Sequence, residues 1–372
     1  MKVATIVGTR PELIKLSRVS AELDQSVKHV FVHTGQNYDY ELNDVFFGDL
    51  GIRKPDHFLN VTGSTLGETI GNIIARSFAI LQREQPDALL LLGDTNSCLS
   101  AIAAKRLKIP IFHMEAGNRC FDERVPEEVN RRIVDHTSDI NLVYTEHARR
   151  CLLAEGIRAD TVIKTGSPMR EVLDHYRAGI ESSDVVSRLG LTAGQYFVVS
   201  AHREENVDVA ENLVQLLESL HALRSRFGLP IVFSTHPRTK KRLEAAGVDI
   251  SGTEVRFLKP LGFFDYIRLQ MSASCVLSDS GTITEESSIL GFPAVTIRET
   301  HERPEGMDVA TLIMCGLQSD RVVAAVEAVR GHLAQGKRFR PPPDYDADDV
   351  SAKVLRIILS YTDYVNRRVW MK

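Results

Sequence analysis

The chain has 372 residues, 43% hydrophobic and 25% charged, which is more than one ordinary core holds and predicts two domains of about 150 to 200 residues each. Its 45 Lys and Arg against 49 Asp and Glu leave a net charge of −4 with no basic run and no acidic tail. That balance excludes a general polyanion or nucleic-acid binder, while a local phosphate site stays open.

Taken in chain order, the first apolar run ends at Gly8 and Arg10 after about six residues, too short for a signal peptide or a membrane span, and reads as a buried strand. Similar runs follow at 29–35, 88–94, 109–117 and 140–145, nearly all apolar rather than alternating, as parallel strands covered on both faces require. Between them, stretches such as 66–84 carry apolar residues at helical spacing, giving β-α-β-α order and a doubly wound α/β domain. The alternation restarts after Thr165-Gly166-Ser167-Pro168, with strands expected at 196–201, 231–236, 254–259, 274–279 and 293–298. The proline-rich 339–349 closes this second sheet, and 350–372 reads as one more helix, free to return to the first domain. The expected division is 1–169, 170–349 and a terminal helix 350–372. Five cysteines, Cys98, Cys120, Cys151, Cys275 and Cys315, are odd in number and widely spaced, as reduced thiols of a cytoplasmic protein would be.

Ligands of open α/β sheets bind beyond the carboxyl ends of the strands, so the residues that follow each strand decide the chemistry. Gly8-Thr9-Arg10, with Lys15 about one turn on, places two cations after the first strand. Ser278-Asp279-Ser280-Gly281-Thr282 passes from strand to helix with small residues whose N–H groups suit an anion; Arg298 and Arg303 add charge, and Glu286 is placed to accept ribose hydroxyls. The plainer reading of the same stretch is an N-cap by Ser280 or Thr282 with Glu285 facing the helix dipole. There is no G-x-G-x-x-G or P-loop pattern, which disfavours nicotinamide chemistry and triphosphate hydrolysis. Asp94, Glu115 and Glu127 supply carboxylates for acid–base work, although Glu127 and Arg131, at i and i+4, could equally be a surface ion pair. His202 and His236 stand just past second-domain strands, where they can donate to a leaving phosphate. The His113/Glu115 and His301/Glu302 pairs are too short-ranged for a metal site, and neither a catalytic metal nor a cofactor is expected.

These blocks, GTRPE (8–12), GDT (93–95), HMEAG (113–117), PEEVNR (126–131), SAHREEN (200–206), SDSG…EE (278–286) and RETHERPEG (298–306), resemble in unbroken order the non-hydrolysing UDP-N-acetylglucosamine 2-epimerase family. The resemblance implies a glycosyltransferase-B-like fold, two Rossmann-like domains facing a cleft that takes a UDP-sugar, a terminal helix on the first domain, and a homodimer. It assigns Asp94, Glu115, Glu127 and His202 to catalysis, and Arg10, Lys15, Arg131, Ser280, Gly281, Glu286 and Arg303 to nucleotide or sugar binding. The runs 93–142 and 33–47 are similar to the capsule and O-antigen enzymes that make UDP-N-acetyl-L-fucosamine from UDP-2-acetamido-2,6-dideoxy-L-talose. Where general epimerases tend to read GDTTT and EAGLRT, this chain has Asn96-Ser97-Cys98 and Asn118-Arg119-Cys120. Gln36 matches a position at which some family members bind a second substrate molecule as activator. Asp39 and Thr62-Gly63-Ser64 do not match the rest of that set, so no such activation is expected. A glycosyltransferase of the same fold, a hydrolysing epimerase and a silent UDP-sugar-binding regulator are the competing readings.

Overall fold

Every residue of Ala88–Leu92 is buried, as are all four of Ile111–Met114 and of Ile140–Val143; such uninterrupted burial needs a sheet sandwiched between helices. In the computed structural model, which describes residues 1–36, 47–248, 255–300 and 303–372, these runs belong to the first of two compact units. Asp39, most of the 33–47 run, Glu254 and the His301/Glu302 pair lie outside the described residues.

Unit 1 comprises Met1–His175 and Pro343–Lys372. Its strands β1 (Lys2–Val7), β2 (Lys28–His33), β3 (His57–Phe58), β4 (Ala88–Leu92), β5 (Ile111–Met114), β6 (Ile140–Val143) and β7 (Val162–Lys164) form one parallel sheet in the order β3-β2-β1-β4-β5-β6-β7. Unit 2, Tyr176–Pro342, holds β8 (Phe197–Ser200), β9 (Ile231–Ser234), β10 (Val255–Leu258), β11 (Cys275–Ser278), β12 (Ala294–Thr296) and β13 (Ile313–Met314), parallel in the order β10-β9-β8-β11-β12-β13. Both sheets are doubly wound and Rossmann-like. Strand order reverses between β1 and β4 in the first and between β8 and β11 in the second, the places where an open sheet leaves a crevice for a ligand.

The units part after His175 and after Pro342, where the sequence predicts breaks after 169 and 349. Burial explains the difference. Met169, Val172 and Leu173 are buried on the helix Met169–His175, and the 343–349 stretch is tied down by Asp344. The Asp344 carbonyl accepts from Ser167 N–H at 3.0 Å, and its carboxylate accepts from Glu146 N–H at 3.1 Å and from Lys164 Nζ at 2.9 Å. The last helix, Val350–Arg368, then buries Val354, Ile358 and Val365 in one core with Leu13, Leu16 and Val19 of the helix Arg10–Ser26. Its start is anchored by Ser351 N–H, which donates to Glu171 at 2.9 Å. The five cysteines are free thiols, four buried and Cys151 half-buried. No described helix is long and apolar enough to cross a membrane.

Candidate active site

In unit 1 the acids follow adjacent strands. β4 runs into Gly93 and then Asp94, whose Oδ2 accepts from Arg131 Nε at 2.7 Å. Arg131 is itself 2% exposed and also donates to Glu128 at 3.0 Å, so it is a buried buttress rather than a surface cation. Glu128, fully buried, accepts in addition from the N–H groups of Cys120 and Phe121 at 3.0 and 3.3 Å. Burial alone would raise its carboxyl; those donors and Arg131 outweigh it and hold Glu128 below the usual range. Asn130 ties the same helix to the β4 loop, donating to the Asp94 carbonyl at 2.9 Å and to Asn96 at 3.1 Å. Helix Pro126–Thr137 thus fixes the Asp94 loop through two side chains one position apart, and Glu127, partly exposed, stands on its first turn.

Glu115 follows β5 in left-handed backbone, φ +63°, a conformation costly for a residue with a Cβ and found where a site requires it. Its carboxylate accepts from Lys15 Nζ at 2.6 Å, both side chains being about nine-tenths buried. Gly117, two residues on at φ +82°, admits no larger residue, since a Cβ there would meet the Ala148 carbonyl oxygen at 2.4 Å. Beneath these loops His113 bridges the Asp135 carboxylate at 2.9 Å and the Gly93 carbonyl at 2.8 Å, and Arg119 joins Asp135 to Glu155, each at 2.7 Å. Arg10 opens the helix Arg10–Ser26 directly after Gly8 and Thr9 at the end of β1.

In unit 2 the corresponding reversal brings Asp279, after β11, under His202, after β8. Asp279 is fully buried; Oδ2 accepts from the N–H groups of His202 and Arg203, both at 2.9 Å, and from Asn206 at 3.1 Å, while Oδ1 lies 3.0 Å from His202 Nδ1. Burial pushes the carboxyl up, but His202 and those donors prevail and hold it well below the carboxylate range. The imidazole is thereby fixed by a buried anion at Nδ1 with its side chain 37% exposed and its ring 5.8 Å from the His236 ring. His236 caps the helix Pro237–Ala245, accepting from Arg238 N–H at 3.3 Å.

Beyond β11, Ser280 and Gly281 line a recess with Thr284, Arg298, Arg303 and Gly306. Arg303, 2% exposed, donates from Nε to the Gly281 carbonyl at 2.9 Å and pairs with buried Glu285 at 3.0 Å. Arg298, equally buried, lies 3.5 Å from Glu205. The N-cap reading needs correction: the cap residue of the helix Thr282–Leu290 is Gly281, which has no side chain to cap with, and Ser280 and Thr282 bond each other at 3.0 Å. Two guanidinium groups and a helix start with no side-chain cap are donors an anion can use, although Glu285 and Glu205 stand beside Arg303 and Arg298. Glu286, 8% exposed, accepts from Gln270 at 3.1 Å. Among the described residues no group of three His, Cys, Asp or Glu could hold a metal ion.

Residues 20–359 match the UDP-N-acetylglucosamine 2-epimerase family. The chain belongs to that family. It is a family of isomerases, and the chain is an enzyme. A UDP-N-acetylglucosamine 2-epimerase structure from Rickettsia bellii is similar at TM-score 0.94 with 57% identity, covering 100% of both chains. The epimerase of Methanocaldococcus jannaschii, solved with UDP-GlcNAc and UDP, superimposes at TM-score 0.90 with 32% identity over 97% of this chain and 100% of that one. The UDP-2,3-diacetamido-2,3-dideoxy-D-glucuronate 2-epimerase of Pseudomonas aeruginosa is 34% identical over 90% of this chain and 94% of its own. A plant glycosyltransferase, UGT2 of Phytolacca americana, shares the fold alone, at TM-score 0.58 and 13% identity, which makes the architecture of this epimerase-family chain glycosyltransferase-B-like.

The sequence points to Lys15 and Arg131, which hold Glu115 and Asp94, but as binding residues, and it assigns no role to Asp279, Glu128 or Asn130. Asp279 is visible inside SDSG directly after a strand, the same signal that singles out Asp94. Glu128 and Asn130 carry no such signal, since only the helix's burial pattern shows which of Glu127 and Glu128 faces inward.

Proposed function

We propose that this protein inverts C2 of a UDP-2-acetamido sugar without hydrolysing it, and that its substrate is UDP-2-acetamido-2,6-dideoxy-L-talose, converted to UDP-N-acetyl-L-fucosamine for surface polysaccharide. The observation that supports the reaction is the pair of buttressed carboxylates after β4 and β5 of unit 1 in a member of this family; unit 2, taken by itself, has a recess with two buried arginines after β11. The L-sugar is supported by the 33–47 and 93–142 runs and by Asn96-Ser97-Cys98 and Asn118-Arg119-Cys120. Asn118 Nδ2 lies 3.5 Å from Glu115, so one of these departures adjoins a catalytic carboxylate. The relatives favour a second reading, the interconversion of UDP-N-acetylglucosamine and UDP-N-acetylmannosamine.

A C2 hydrogen next to an anomeric carbon is not acidified by a carbonyl, so the reaction goes through loss of UDP. The C1–O bond breaks toward the diphosphate, an oxocarbenium-like centre forms, and the C2 proton leaves to a carboxylate, giving a 2-acetamidoglycal. Reprotonation on the opposite face and return of UDP complete the inversion. Arg10, Arg298, Arg303, His202, His236 and the N–H groups of 280–282 take the charge developing on the diphosphate, where preorganised donors supply several kcal/mol. Asp94, Glu115 and Glu127 share the proton transfers, with Lys15 and Arg131 keeping Glu115 and Asp94 in place. Glu286 accepts the ribose hydroxyls.

The test is incubation with UDP-N-acetyl-L-fucosamine, and separately with UDP-N-acetylglucosamine, in D2O without added cofactor, following H1 and H2 by proton NMR. Loss of H2 with a new C2 epimer from the fucosamine compound alone supports the L-sugar. The same change from UDP-N-acetylglucosamine alone replaces it with the second reading. Intact H2 in both overturns elimination for these sugars, and free UDP accumulating with time marks a hydrolysing enzyme.

A further inference from the structure

One carboxylate with no part in those steps lies under the loop that carries Arg10. Glu12 is 2% exposed, in the first turn of the helix Arg10–Ser26. Its Oε2 accepts from Gly8 N–H at 3.0 Å and from the Thr9 hydroxyl at 2.8 Å, and Ser97 Oγ reaches Oε1 at 3.1 Å. Gly8 is required there, because a Cβ would meet Thr34 Oγ1 at 2.3 Å and Ser97 Oγ at 2.6 Å. Ser97 Oγ in turn lies 2.6 Å from the hydroxyl of Thr95, a partly exposed residue immediately after Asp94.

A hydroxyl has one hydrogen to give, so this chain of groups has two directions. An ionised carboxylate only accepts: Ser97 turns its hydrogen to Glu12, the Thr95 hydrogen turns inward to Ser97 or to Glu12 itself, and Thr95 offers outward only lone pairs. A protonated Glu12 donates to Ser97, Ser97 donates to Thr95, and the Thr95 hydrogen is released to donate outward. We propose that Glu12 is a positioning residue whose charge state sets the direction of the Thr95 hydroxyl beside Asp94, and with it the polarity offered to the sugar's acetamido or hydroxyl groups. The inference rests on the UDP-sugar reading of the site above.

Both directions lie within ordinary pH, since burial pushes Glu12 up to about 7 against the pull of its hydroxyl and N–H donors. On its own helix Glu12 has Arg10 and Lys15, the latter paired with Glu115, and from the β4 side it faces the buried thiol Cys98, which also feels Asp94. Arg131 and Asp135 of the helix Pro126–Thr137 reach the same Cys98, and His33 at the end of β2 is pushed down to about 4 by burial. These neighbours have engagements of their own outside the hydroxyl chain: Arg131 is held by Asp94 and Glu128, and Asp135 by His113 and Arg119.

The experiment compares kcat and KM across about pH 5.5 to 8.5 for wild type, Glu12→Gln and Thr95→Val, using whichever nucleotide sugar loses H2 in D2O. One hydrogen bond gained or lost to the sugar changes KM about 3- to 10-fold. The expected result is such a change in wild type, centred near pH 7, absent from Glu12→Gln, which stays neutral and donates to Ser97 at every pH, and absent from Thr95→Val. A KM inflection that persists in either folded variant, or no inflection in wild type, overturns the inference and leaves the function untouched. Should Glu12→Gln fail to fold, Thr95→Val decides alone, because Glu12 is intact in it. A wild type that processes none of the sugars fails the functional reading, and this inference with it.

Discussion

Paired side chains carry the consequences at the scale of single residues. Asp94→Asn keeps an acceptor for Arg131 but removes a group able to exchange a proton, and under the proposed mechanism turnover is expected to fall at least ~100-fold with the melting temperature little changed, as initial rates and calorimetry will show. Near-normal rates in a folded Asp94→Asn would remove it from the proton transfers. Asp279→Asn acts differently, through His202. It takes away the anion at Nδ1, so both kcat and stability drop, the latter by about 1 to 3 kcal/mol in urea titrations. The pH dependence has a definite sign. The folded carboxyl sits below its unfolded value, so its stabilisation is complete above about pH 5 and is lost progressively as the pH falls from the unfolded value through the folded one. The deficit of Asp279→Asn is therefore level from about pH 6 to 8 and narrows in strong acid.

Elements, in turn, explain why part of the fold and of the site is legible in the letters alone. The β4 run ALLLL and the polar residues after it announce a buried strand and an exposed rim within one short stretch, and the turn chemistry after β1, β8 and β11 is equally plain. The β-α-β-α order implies a doubly wound sheet, but the letters do not show which strands flank its reversal; the order itself, β1 beside β4 and β8 beside β11, comes from the structure. Inward and outward facing on a charged helix is also hidden: Glu127 and Glu128 differ only by a rotation of about 100°. Packing of the last helix is testable directly. Ile358→Ala opens the shared core beside Leu13 and Leu16 and is expected to cost about 2 to 5 kcal/mol, read from the denaturation midpoint. An unchanged midpoint would mean that the helix Val350–Arg368 contributes little to unit 1.

For the whole molecule, the family resemblance proposes a homodimer, and light scattering is expected to return twice the 41.5 kDa of the chain. A mass of one chain that nevertheless epimerises would show that assembly is dispensable. The two crossings between units, after His175 and after Pro342, bear on the order in which the molecule is made. Unit 1 begins at the N-terminus, yet Val354, Ile358 and Val365 of its core are translated last. Unit 2 is an uninterrupted stretch and can close its core as soon as it has emerged. Met1–His175 thus waits for Pro343–Lys372 before the core of unit 1 is complete. A chain truncated before Pro343 therefore leaves the core of unit 1 without Val354, Ile358 and Val365, while unit 2 keeps every residue of its own.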